Sequence, residues 1–279
     1  MREVSSSFVK GIYKKREPWA HKGDFGKLLI IGGSKSYSGS PALSAMAAYR
    51  SGADLVTVAA PKRAADIIAS FSPNIITYPL AGDFISSRHL KELLSLANDN
   101  DAIVIGGGLG RNPQTFKAVQ SFLQKVSKPC VIDADGIRAV AGKKSLIKKD
   151  YVMTPHVNEF FALTGNNLYK STIQEKEKAT EEAALKLGTT IILKGHMDVV
   201  SGKMGTTVNG TGSVFMTKGG TGDTLAGICG ALLARGVDAQ DAAAAAAFIN
   251  GAAGARAARE FGEGMVATDL LDQIAFVIS

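Results

Sequence analysis

The chain has 279 residues, 46% of them apolar and 20% charged, with a formal net charge of +7. The apolar fraction excludes a disordered chain, and the length is ample for a sizeable core in one large domain or two small ones. No apolar run reaches the roughly 18–20 residues of a membrane span, the densest stretch being 242–249, so no membrane partner is expected.

The N-terminal segment holds most of the charge. Arg2, Lys10, Lys14, Lys15, Arg16, Lys22 and Lys27 face only Glu3, Glu17 and Asp24, so these 27 residues account for +4 of the +7. The plainer reading is a basic, solvated arm over 1–20; the alternative is lysines placed for an anionic ligand. There is no basic stripe with interleaved aromatics, so nucleic acid is not an expected partner. The segment lacks the apolar stretch of a secretory signal, and Glu3 and Glu17 disfavour a transit peptide, so a cytoplasmic location is expected. Cys130 and Cys229 stand apart without a CxxC or His-rich neighbour, which argues against a zinc site or a disulfide framework.

Further along, short apolar runs at 28–31, 54–59, 75–80, 102–105, 130–133, 151–154 and 190–193 alternate with amphipathic stretches at 40–50, 64–71, 88–97 and 113–126. Runs of this length bounded by Gly, Pro or Asp fit strands buried on both faces. Their alternation with helices predicts a parallel sheet sandwiched between helical layers. Residues 197–201 and 206–209, separated by Gly202 and Gly205, read as an antiparallel hairpin at the sheet edge. The charge-rich helix over 172–188 reads as a solvated face. After Gly222 the chain is helical at 223–235, 238–261 and 268–277, with Asn250, Gly251 and Gly254 marking a kink or a tight contact. Ala and Gly make up a quarter of the chain, which implies backbones lying close together. One α/β domain spanning 1–279 is expected, with a helical C-terminal third.

The glycines cluster where strands meet helices. The run 32–39 (Gly32-Gly33-Ser34-Lys35-Ser36-Tyr37-Ser38-Gly39) follows the first strand, and Gly106-Gly107-Gly108-Leu109-Gly110 follows the strand at 102–105. Neither matches the P-loop or the dinucleotide fingerprint, and either could be a tight turn. The third run, Lys218-Gly219-Gly220-Thr221-Gly222-Asp223, enters a long apolar helix. Amides of Gly220, Thr221 and Gly222 could cradle a phosphoryl group, with Asp223 accepting a proton from an attacking hydroxyl. Alternatively, Thr221 or Asp223 caps the helix. Thr154-Pro155-His156-Val157-Asn158-Glu159 sets His156 and Glu159 one turn apart, and Lys194 ends a strand, where α/β proteins bind ligands.

Taken in order, these segments resemble the ribokinase-like superfamily and, within it, the ADP/ATP-dependent NAD(P)H-hydrate dehydratases. The match runs from His21-Lys22-Gly23 to about Gly230. It includes Tyr37-Ser38-Gly39-Ser40-Pro41, Arg50-Ser51-Gly52-Ala53-Asp54, Gly106-Gly107-Gly108-Leu109, Asp133-Ala134-Asp135, Pro155-His156 through Glu159-Phe160, Leu193-Lys194-Gly195 and Gly219-Gly220-Thr221-Gly222-Asp223. The resemblance implies a ribokinase-like three-layer α/β/α sandwich, mostly parallel with an antiparallel edge hairpin. It implies nucleotide-dependent dehydration of hydrated NADH or NADPH: phosphorylation of the C6 hydroxyl by ADP or ATP, then phosphate elimination. By the same resemblance Asp223 is the catalytic base, and Ser40, Pro41, Gly108, His156 and Asp223 contact the hydrated dinucleotide. Lys194, Gly195, His196, Met197, Asp198, Gly220, Thr221 and Gly222 hold the adenine nucleotide, and Glu159 acts indirectly near Mg²⁺. A homotetramer is implied, as is a stand-alone dehydratase without the epimerase domain, since about 20 residues precede the match.

Four positions depart from the family pattern: Asn158 stands in place of a common Gly, Ser40 of Ala, Gly107 of Pro, and Asp198 of a small hydroxyl residue. The alternatives are a ribokinase-like kinase acting on a vitamin-precursor alcohol, and a nucleotide-sensing protein on the same fold. Intact glycines around Asp223 speak against the latter.

Overall fold

The computed structural model describes residues 4–13 and 15–279; Arg2, Glu3 and Lys14 of the N-terminal charge cluster lie outside them. Among the described residues there are nine strands: β1 Lys27–Ile31, β2 Leu55–Pro61, β3 Ile76–Leu80, β4 Ala102–Ile105, β5 Cys130–Ile132, β6 Tyr151–Met153, β7 Thr190–Leu193, β8 Asp198–Gly202 and β9 Gly205–Asn209. The helices are α1 Ser6–Ile12, α2 Gly39–Arg50, α3 Lys62–Phe71, α4 Leu90–Asn98, α5 Pro113–Lys125, α6 Ala134–Val140, α7 Val157–Thr164, α8 Ile173–Leu187, α9 Thr221–Ala234, α10 Ala239–Phe261 and α11 Ala267–Ile278.

The strands form one sheet in the order β3-β2-β1-β4-β5-β6-β7-β8-β9. Pairing is parallel through β7 and antiparallel for β7–β8 and β8–β9, so the hairpin lies at the edge as expected. Parallel strands joined by helices bury both faces, and the period-2 alternation of side chains divides each strand between two cores. Leu28, Ile30, Ala102 and Val104 enter one core; Leu29, Ile31, Ile103 and Ile105 enter the other.

The two cores differ in grain. The second is filled by bulky side chains such as Phe122, Tyr151 and Phe160. The first, under α2, α9 and α10, is dominated by alanines, including 242–247. There the helices meet backbone to backbone: a Cβ on Gly227 of α9 would lie 2.1 Å from the Ser44 carbonyl oxygen of α2. A Cβ on Gly230 would lie 2.4 Å from Val104 Cγ2 of the sheet. The Ala/Gly richness is therefore concentrated on one face.

Gly251 and Gly254 do not interrupt α10, which runs unbroken for 23 residues. They admit the loop after β9: a Cβ on Gly251 would lie 2.3 Å from Thr211 Oγ1, and one on Gly254 2.3 Å from Met216 Sδ. The N-terminal segment differs from a fully solvated arm. Val9 of α1 is buried in the first core, and Arg16 pairs with Asp54 at 3.0 Å while stacking 3.8 Å above the Phe25 ring. None of the described helices is long and apolar enough to cross a membrane.

Replacing Gly227 by Ala forces α2 away from α9 and is expected to destabilise the fold by about 1–3 kcal/mol or more, read as a fall in the urea midpoint. Gly11→Ala in exposed α1, where nothing lies within 4 Å of the new methyl, is expected to be neutral or slightly stabilising in the same measurement.

Candidate active site

The segments singled out in the sequence converge at the C-terminal ends of the parallel strands. In open α/β sheets the ligand crevice lies at this end, where successive connections diverge. Here the divergence falls between β1 and its neighbours β2 and β4. The loops after β1 and β4 stack there: the Gly33 amide donates to the Gly107 carbonyl at 2.9 Å, and a Cβ on Gly32 would lie 2.5 Å from that oxygen. Gly108, at φ +68°, lies against Gly33 and Tyr37, and Pro41 packs beside Gly32.

Asp223 stands in the first turn of α9. Gly220, at φ +101°, occupies the N-cap, and no side chain caps the helix. Thr221 Oγ1 instead donates to the carbonyls of Met216 and Lys218, and the Asp223 carboxylate accepts from Ser40 Oγ. The capping alternative for Thr221 and Asp223 is thereby excluded. With no side-chain cap, the first amides of α9 lack intrahelical acceptors and the helix end carries partial positive charge. Thr224 and Asn250 brace this turn: Asn250 Nδ2 donates to the Thr221 carbonyl at 3.1 Å, and Thr224 Oγ1 donates to Asn250 Oδ1 at 2.7 Å. Burial pushes the Asp223 carboxyl up to about 6, with Asp133 and Glu159 adding to the rise and Ser40 and Lys194 opposing it.

Lys194, at the end of β7, is the cation among these carboxylates. Its Nζ lies 3.0 Å from Asp133 Oδ1 and 3.8 Å from Glu159 Oε2. Burial works against its charge, but Asp133 and Glu159 outweigh it and hold the ammonium above its ordinary range. Asp133, buried at the end of β5, also accepts from Thr154 Oγ1 at 2.6 Å. Its placement depends on close backbone approach. A Cβ on Gly106 would lie 1.8 Å from the Asp133 carbonyl, and the next residue, Ala134, is held at φ +48°, a conformation side chains disfavour.

His156 and Glu159 form a reciprocal cap at the start of α7. The His156 amide donates to Glu159 Oε2 at 2.9 Å, while His156 Nδ1 accepts from the amides of Asn158 and Glu159. With Nδ1 so occupied, the Nε2 edge faces Glu159 Oε1 at 3.4 Å. Asn158 supplies its amide here and points its side chain to solvent, so the helix start does not require a glycine.

A cavity of about 410 Å³ opens beside this cluster, lined by Lys194, Gly195, His196, Asp198, the 210–214 loop, Met216, Thr221, Gly222, Leu225 and Asn250. Gly222 lies close to the lysine: a Cβ there would lie 3.3 Å from Lys194 Nζ, a tight contact. Met197 stands by Gly210 and Gly220 lies behind the rim, so these two expected contacts are not on the lining. Asp198 accepts from the Gly195 amide at 3.0 Å, and burial pushes its carboxyl up to about 6. It thereby shapes the 195–198 turn.

Around Asp223 stand Ser40, Pro41 and Gly108 on the side of the glycine loops, and Lys194, Gly195, His196, Asp198, Thr221 and Gly222 on the cavity side; His156 is bridged to Lys194 at the ends of β6 and β7. Reasoning from sequence assigned no role to Asp133, Thr154 or Asn250. Asp133 carried a signal, as an Asp ending an apolar run; Asn250 did not, since its partner lies on another helix. Two departures from the family pattern, Ser40 and Gly107, are neighbours in space: a Cβ on Gly107 would lie 2.2 Å from Ser40 Oγ. Among the described residues no group of three His, Cys, Asp or Glu stands ready to hold a metal.

A carboxyl whose pKa is raised by folding holds its proton more tightly in the folded state, so its contribution to stability falls as pH rises from about 4 to about 6 and is level above that. Asp223→Asn removes this cost. Its melting temperature is expected to match wild type near pH 4 and exceed it above pH 6.5, by the equivalent of about 2 kcal/mol. Parallel melting curves at all pH values would refute the assignment of a strained carboxylate.

Residues 28–275 match the model of the NAD(P)H-hydrate dehydratase family. A bifunctional NAD(P)H-hydrate repair enzyme of Pyrobaculum aerophilum is 42% identical over 92% of this chain and 51% of its own length. The chain thus spans about half the length of such bifunctional relatives. An ADP-dependent (S)-NAD(P)H-hydrate dehydratase of Nitrosopumilus maritimus is 35% identical over 99% of this chain and 96% of its own. The crystal structure of an ADP/ATP-dependent NAD(P)H-hydrate dehydratase from Bacillus subtilis, co-crystallised with ATP and Mg²⁺, superposes with a TM-score of 0.79 at 26% identity, over 98% of this chain and 96% of that one. The chain belongs to the NAD(P)H-hydrate dehydratase family.

Proposed function

We propose that the protein repairs hydrated NADH and NADPH at the expense of ADP or ATP. The observation that carries this reading is Asp223: a half-buried carboxylate at an uncapped helix N-terminus, between a nucleotide-sized cavity and two stacked glycine loops, in a chain of this family. The adenine nucleotide occupies the cavity, with its phosphates toward the amides of Thr221 and Gly222 and the ammonium of Lys194. The hydrated ring lies over Ser40, Pro41 and Gly108, with His156 Nε2 available to it.

Asp223 accepts the proton of the C6 hydroxyl as that oxygen attacks the terminal phosphorus, and AMP or ADP leaves. The C6–O bond then breaks, inorganic phosphate departs, the neighbouring carbon loses a proton and the ring double bond is restored. Such transfer depends chiefly on positioning and charge stabilisation. Glu159 is the residue to meet, through water, a Mg²⁺ brought in on the nucleotide phosphates, whose chemistry would be to neutralise their charge. The homotetramer and the cytoplasmic location belong to the same reading; sedimentation and fractionation test them.

The direct experiment mixes the protein with acid-hydrated NADH or NADPH, Mg²⁺ and either nucleotide. Recovery of reduced-nicotinamide absorbance with release of phosphate is expected; a stable phosphorylated alcohol with no recovery would favour the kinase alternative. Asp223→Asn is expected to lower kcat by about 10²–10⁴-fold with nucleotide affinity retained, and near-wild-type turnover would overturn the mechanism. In the wild type, kcat/KM should rise through pH 6 as Asp223 loses its proton.

A further inference from the structure

We infer that Ser40 and Gly107 act as one positioning unit for Asp223: the hydroxyl holds one carboxylate oxygen so that the other takes the proton, and the missing side chain at 107 is what makes room for it. The inference rests on Asp223 being the base. Ser40 Oγ donates to Asp223 Oδ1, and one turn further along α2 Ser44 Oγ donates to the Asp223 main-chain oxygen at 2.8 Å. Residues four apart share a helix face, so α2 grips residue 223 by both side chain and backbone. This leaves Oδ2 as the oxygen available to the substrate hydroxyl.

Gly107 has a specific place in this grip. Its neighbours Gly106, Gly108 and Gly110 have φ of +139°, +68° and +76° and need glycine for their conformation. Gly107 does not adopt a left-handed conformation, so a side chain there is barred by space alone. A Cβ at 107 would lie 2.2 Å from Ser40 Oγ and 3.1 Å from Asp223 Oδ1. Any side chain at 107 would therefore displace the hydroxyl first and then press on the carboxylate. A hydroxyl donating to a carboxylate also favours its charged form. Ser40 thus offsets part of the effect of burial and keeps the base ionised near neutral pH.

The test compares Ser40→Ala, Gly107→Ala and the double variant with wild type. The Asp223 carboxyl resonance, identified by its absence in Asp223→Asn, is titrated by carbon-13 NMR, and the pH–rate profile is recorded in parallel. Ser40→Ala should titrate about one pH unit higher, with the acid limb of kcat moving equally and KM for the nucleotide unmoved. Gly107→Ala should produce a similar upward shift alone and little further shift once Ser40 is Ala. An unchanged Asp223 titration in Ser40→Ala, or the same added shift from Gly107→Ala in both backgrounds, would overturn the inference. Absence of dehydration by the wild type would instead reject the proposed activity, because the NMR titration does not depend on turnover.

Discussion

The backbone contact between α2 and α9 is the constraint on which the site depends. Two helices carrying ordinary side chains pack with axes about 8–10 Å apart, and a hydroxyl on one would not readily reach a first-turn carboxylate on the other. Gly227 removes the side chain that would hold them apart, and the Ser44 carbonyl fills its place. The same approach sets Ser40 and Ser44 against Asp223 and seats α9 on Val104 of the sheet through Gly230. The alanine-rich core beneath follows from this geometry, because helices brought this close leave little room for larger residues.

Onto this frame the fold mounts an expensive electrostatic arrangement. Asp133, Glu159 and Asp223 surround one lysine in a largely buried space, so their charges are incompletely balanced. In a stability-optimised protein one of the carboxylates would be replaced. Here the excess negative charge falls on the carboxylate with the least direct cationic partner, Asp223, which is held by a hydroxyl and not by a guanidinium or an ammonium. A carboxyl raised in this way is a better proton acceptor at neutral pH than an exposed one, and an uncapped helix terminus favours anions in general. Under the proposed activity, local instability and chemical use have the same origin.

Much of this was legible before the structure. The apolar runs 28–31, 102–105 and 190–193 coincide with strands because buried parallel strands tolerate almost nothing but apolar residues. The hairpin at 198–209 followed from its glycine turn. Asp223 stood out because a glycine run before a helix suits a ligand and exceeds what a cap needs, whereas Lys194 at a strand end reads first as a solvated lysine and drew its role from the family resemblance. Helix α6 was not recognised, since its seven residues are too few for a clear period and its entry passes through the unfavourable φ of Ala134. Helix α1 escaped for the same shortness, and its buried Val9 could not be told from a solvated arm by charge counting.

By itself, the sequence determined the order of the strands and of the longer helices, the glycine-rich turns and the identity of the ionisable groups at strand ends, because these depend on local composition and periodicity. Only the tertiary structure decided which groups meet. Asp133 reaches Lys194 across 61 residues and Ser40 reaches Asp223 across 183, and such pairings depend on the sheet order and on the depth to which helices approach. The reason Gly107 is glycine belongs to that second class: its backbone conformation asks for no glycine, and the space it vacates is filled by a hydroxyl from a distant helix.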